Sequence, residues 1–79
     1  YPNPFNPSLS IPIDIKQRSK VNITIFDING RFVEEVISQS MDMGQYKFSW
    51  DASQNSSGLY IIQTKIDQKT YKSKVLLLK

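Results

Sequence analysis

Cysteine and histidine are both missing from these 79 residues. Without cysteine, neither a disulfide framework nor a thiolate metal site can staple the fold, so packed apolar faces must hold it. Without histidine, the usual general base, the usual zinc ligand and the Ser/His and Cys/His nucleophile pairs are lost in one step. No catalytic, cofactor-binding or metal-ligating residue is assigned, and the chain is expected not to be an enzyme. Long apolar runs are missing too. The longest, such as Val75–Leu78, is four residues, against the roughly 20 that a membrane-spanning helix needs. No signal peptide is visible, and because the chain opens directly on a motif it is expected to be a piece of something longer.

Charge is modest and dispersed. The net charge is +3, with ten Lys and Arg scattered between Lys16 and Lys79. The densest group, Lys69 to Lys74, could carry a basic, aromatic-bearing stripe, yet its period of two reads as the wet face of a strand, so no nucleic-acid partner is expected. The length fits one small domain, residues 1–79, a size that hides only roughly 60% of its unfolded surface.

What is present is β-structure in short pieces. Tyr1-Pro2-Asn3-Pro4-Phe5-Asn6-Pro7 is a stiff, Pro-rich lead-in over residues 1–7, its prolines fixing φ and pushing their predecessors towards extended conformations. Residues 8–15 alternate, with Leu9, Ile11, Ile13 and Ile15 on one side. Pro12 cannot donate to a ladder, which places this strand at an edge or Pro12 at a bulge. A polar turn, Lys16 to Lys20, leads to a second strand in which Val21, Ile23 and Ile25 point inward and Phe26 outward.

Asn29-Gly30 then signals a hairpin, because both residues accept positive φ, and residues 31–37 should fold back as a third strand. Asp27 and Asn29 resemble the start of a calcium loop, but no bidentate Glu follows at the required distance, so turn chemistry is the reading. Residues 38–44 read as a polar loop. Tyr46, Phe48 and Trp50 follow on one face of a fourth strand, as the heaviest expected contribution to the core.

The organising stretch is Gly58 to Ile66. Leu59, Tyr60, Ile61 and Ile62 are apolar on both faces, as in a strand near the middle of a sheet, and Gly58 marks a backbone position that a Cβ would strain or crowd. After a turn at residues 67–70, the segment 71–79 should pair with it, ending inside the sheet. Six strands with turn residues between them and no helical period argue for an all-β, antiparallel immunoglobulin-like β-sandwich of six to seven strands. Asn22 and Asn55 match a glycosylation pattern too short to carry weight.

Five motifs occur in an order that resembles the C-terminal sorting domains of the type IX secretion system: residues 1–7, the Asp27–Arg31 hairpin turn, Trp50-Asp51, Ser57-Gly58-Leu59-Tyr60 and Lys74–Lys79. The resemblance covers essentially the whole chain. The loop from Trp50 to Gly58 is shorter than in many members, and Ser8-Leu9-Ser10-Ile11 replaces a commoner Thr-Thr-Ile. The resemblance implies a bacterial export signal attached to an upstream cargo, in transit through the periplasm to the cell surface or the outside. Its implied partners are an outer-membrane translocon and a surface signal peptidase. As recognition residues it points to Tyr1, Pro2, Asn3 and Pro4 in the lead-in, Gly58 and Tyr60 for shape, and Lys74 and Lys79 for charge. An alternative is an Ig-like structural or carbohydrate-binding accessory module of an extracellular enzyme, which requires at least two co-planar exposed rings among Tyr1, Phe5, Tyr46, Tyr60 and Tyr71.

Overall fold

A computed structural model describes residues 7–79. Six strands run in order: β1 (Ser8–Ile15), β2 (Ser19–Asp27), β3 (Phe32–Met41), β4 (Gly44–Asp51), β5 (Gly58–Ile66) and β6 (Lys69–Leu77). They form a two-stranded sheet, β1-β4, and a four-stranded sheet, β3-β2-β5-β6, with every pairing antiparallel. No helix is present among the described residues, hence none long and apolar enough to cross a membrane.

The alternation seen in sequence becomes the sandwich interior. Leu9, Ile11 and Ile13 of β1 stand opposite Trp50, Phe48 and Tyr46 of β4. Facing them, β2 contributes Val21, Ile23 and Ile25, and β5 contributes Tyr60 and Ile62, all buried. Fully burying such side chains contributes about 1.5–3 kcal/mol each. Among the aromatics of β4 only Trp50 is fully buried; Tyr46 and Phe48 are half-buried, their rings stacked at 6.4 Å. The centre of the core therefore lies in the isoleucines of β1 and β2 rather than in the aromatic stripe.

Pro12 sits in β1 at a sheet edge, where its missing N–H costs no ladder bond: β1 has β4 as its one partner. As its two-faced apolar pattern requires, β5 is an interior strand. Three expectations change. Residues 38–41 are strand, not loop, because Ser38 to Met41 pair with Asn22 to Ser19, and Met41 is buried. That pairing also shortens the turn before β2, which begins at Ser19. The segment β6 pairs with β5 but is itself an edge, so Leu76 and Leu78 are exposed rather than enclosed.

The Asp27–Arg31 turn also differs from the two-residue form. Gly30 alone has positive φ, at 83°, and the Gly30 N–H donates to the Asp27 carbonyl (3.0 Å) while Asp27 N–H donates to the Arg31 carbonyl (2.9 Å). That is a three-residue loop closed by a left-handed glycine. The Asp27 carboxylate accepts the backbone N–H groups of Asn29 and Arg31, each at 2.9 Å, which is turn chemistry rather than ion binding.

Candidate recognition surface

The motifs scattered along the sequence meet at one end of the sandwich. Antiparallel pairing brings Ser8 beside Asp51, Asp27 beside Tyr60, and Gly58 beside Leu77. The hairpin turn, the Trp50-Asp51 pair, the start of β5 and the C-terminus thus share this end. Opposite lie the turns at Lys16–Arg18, Asp42–Met43 and Asp67–Gln68, where Arg18 pairs with Asp42 and Lys16 with Asp14.

At the motif end the loop of residues 52–57 is held from three directions. Ala52, fully buried, donates its N–H to the Pro7 carbonyl at 2.9 Å, which ties the loop to the end of the lead-in. From β5, the Tyr60 hydroxyl donates to the Ser56 carbonyl at 2.6 Å, in the manner of the tyrosine corner of immunoglobulin-like sandwiches. From the C-terminus, the Lys79 N–H donates to Ser57 Oγ (3.0 Å) and its Nζ to the Ser53 carbonyl (2.6 Å). Within the loop, the Ser53 N–H donates to Asp51 Oδ1 at 3.0 Å and holds that carboxyl below the usual carboxylate range.

Gly58 has φ of +154°, and a Cβ built there meets nothing within 4 Å. The position is reserved by backbone conformation, not by crowding. Tyr60 is buried and shapes the end from inside, while Lys74 is exposed on β6, opposite Ile61. Tyr1, Pro2, Asn3 and Pro4 lie outside the described residues, as does Phe5. Sequence reasoning assigned no role to Ser53 or Ser56 and took Ser57 only as part of a motif; buried Ala52, the lone apolar residue in a polar loop, was the available signal.

An open cleft of about 420 Å³ runs along the strands between the free edges of β1 and β6, lined by Leu9, Ile11, Ile13, Ile62, Tyr71 and Val75 among others. The β6 edge is regular, paired with β5 without interruption from Gly58↔Leu77 to Ile66↔Lys69. By contrast β3, the other edge of that sheet, carries two register shifts, which blunt it as a template.

A model of the secretion system C-terminal sorting domain matches residues 1–78. The chain belongs to this family. The sorting domain is a C-terminal signal for type IX secretion, a role that implies an upstream cargo, the secretion machinery, and export to the cell surface or beyond. The family is not a catalytic one. Searches of curated proteins and of solved structures each returned no match. The carbohydrate-binding alternative is not favoured: Tyr60 is buried, Tyr46 is half-buried with its hydroxyl donating to the Asp42 carbonyl, and Tyr71 is exposed with no ring of the described residues stacked on it.

Proposed function

We propose that the outer-membrane translocon reads the folded sorting domain at its motif end, after the cargo has reached the periplasm, and that a surface signal peptidase then removes it. In this reading residues 1–79 act as one unit, with residues 1–7 as a stiff spacer to the cargo. Gly58 and Tyr60 set the shape of the end, and Lys74 and Lys79 supply its charge. The single supporting observation is convergence: motifs dispersed from Pro7 to Lys79 come together around the loop 52–57. Recognition of this kind is protein–protein contact, for which the uninterrupted β6 edge offers backbone partners.

The test is to fuse residues 1–79 to a neutral reporter in a bacterium that has this secretion route. The reporter is expected outside the cell, and removing the last residues, Leu78 and Lys79, is expected to leave it in the periplasm. A folded fusion that stays in the periplasm contradicts the reading, as does unimpaired export of the truncated one.

A further inference from the structure

The outer face of the four-stranded sheet carries a pattern of its own, which includes Lys74. Val21, Ile23 and Ile25 point into the sandwich, so Lys20, Asn22, Thr24 and Phe26 lie on the opposite face. Two hydrogen bonds fix that orientation: Asn22 Nδ2 donates to Glu35 Oε2 and Thr24 Oγ1 to Asn22 Oδ1, both at 2.8 Å. Register then extends two rows across all four strands, Glu35–Thr24–Gln63–Lys72 and Phe32–Phe26–Ile61–Lys74, with the pair Leu59–Leu76 beyond them.

The face is apolar towards the motif end, at Phe32, Phe26, Ile61, Leu59 and Leu76, and polar at the row of Thr24 and Gln63; its charges are Glu35 on the β3 edge, Lys72 and Lys74 on the β6 edge, and Lys20 and Lys65 on the two inner strands. Phe32 is 64% exposed and Leu76 62%, apolar surface whose removal from water is favourable. Glu35 stands on the β3 edge and Lys72 and Lys74 on the β6 edge, and none of the three joins an ion pair among the described residues.

We propose that a second copy of this domain covers this face, about a two-fold axis parallel to the strands. Face-to-face packing of two identical sheets allows two simple in-plane axes. The axis perpendicular to the strands stacks β3 on β3 and β6 on β6, setting the lysines of the β6 edge against those of the partner copy. The parallel axis reverses the strand order while keeping each row at its own level. Glu35 then lies over the partner copy's Lys72, Phe26 over Ile61, and Phe32 over Lys74, a cation–π arrangement. Each contact occurs twice. Four strands spaced about 4.8 Å apart give a face roughly 19 Å wide and, over eight residues, about 26 Å long. Such a face buries roughly 1,000 Å² in all, at the low end for specific association, so the dimer is weak and reversible.

Sedimentation equilibrium of the 79-residue chain from about 10 μM to about 1 mM tests this. The expected result is a mass rising with concentration from 9.1 kDa towards twice that value. Charge reversal at either position, Lys72→Glu or Glu35→Lys, is expected to weaken association by roughly tenfold, since two symmetric pairs become repulsive. The double variant is expected to restore it. Phe32→Ser, at an exposed position, is expected to abolish association while leaving the fold intact. A single 9.1 kDa species at all concentrations overturns the proposal. So does association indifferent to the single reversals, or a double variant no stronger than either single one.

Discussion

Trp50 and Tyr60 join the two sheets edge to face, with ring centroids 5.3 Å apart and planes inclined at 67°. Trp50 comes from β4 in the smaller sheet and Tyr60 from β5 in the larger, and the Tyr60 hydroxyl continues the link to the Ser56 carbonyl. Tyr60→Phe keeps the ring contact and removes that hydrogen bond. The expected cost is about 1 kcal/mol, read as a melting temperature lower by roughly 4–8 °C in a domain of this size. Tyr71→Phe, at an exposed ring, is expected to leave it unchanged.

Gly58 separates backbone strain from crowding. Because its φ is +154° and open space surrounds the missing Cβ, Gly58→Ala is expected to destabilise by about 1–3 kcal/mol. A chemically synthesised chain with D-alanine at position 58 is expected to match the parent in urea denaturation, since the mirror-image residue favours that φ. Equal losses for both enantiomers would falsify the backbone account.

Asp27 orders the hairpin turn by accepting two backbone N–H groups. Removing the acceptor in Asp27→Ala is expected to cost about 1–2 kcal/mol, with faster amide exchange at Asn29 and Arg31. Asp27→Asn retains an oxygen at the same place and is expected to recover most of the loss. Unchanged exchange at both amides in the alanine variant runs against this role.

Asp51 makes a pH prediction with a definite sign. The Ser53 N–H lowers its folded-state pKa, so as acid is added the unfolded chain takes up this proton before the folded one. The contribution is present above about pH 4, the ordinary carboxylate range, and is lost as pH falls through the folded value. Asp51→Asn is expected to flatten the stability profile below about pH 4. An unchanged slope there contradicts the assignment.

Much of this architecture was legible because its signals are local. Alternation from Leu9 to Ile15 and from Tyr46 to Trp50 marked strands, Pro12 marked an edge, and the two-faced run after Gly58 marked an interior strand. The extension of β3 through Ser38–Met41 was not legible, since those residues become strand by pairing with distant Ser19–Asn22. Asn29-Gly30 signalled the turn, but the loop length that set its geometry came from the pairing of Phe26 with Phe32. At the motif end, Gly58 and Tyr60 carried their own chemistry in sequence. The Lys79 contacts did not, because Ser53 and Ser57 become its acceptors only once β6 returns the C-terminus to the loop.

Whether the exported signal is the surface of the motif end, as distinct from mere foldedness, can be measured by comparing substitutions at the two ends of one tag. Lys74 and Lys79 are replaced together by alanine in one reporter fusion, and Lys16 and Arg18 in another, with melting temperatures determined for both tags. Predicted is a severalfold fall in extracellular reporter for the first, none for the second, and melting temperatures differing by no more than exposed side chains allow, equivalent to roughly 1 kcal/mol. Equal export from both fusions contradicts the account.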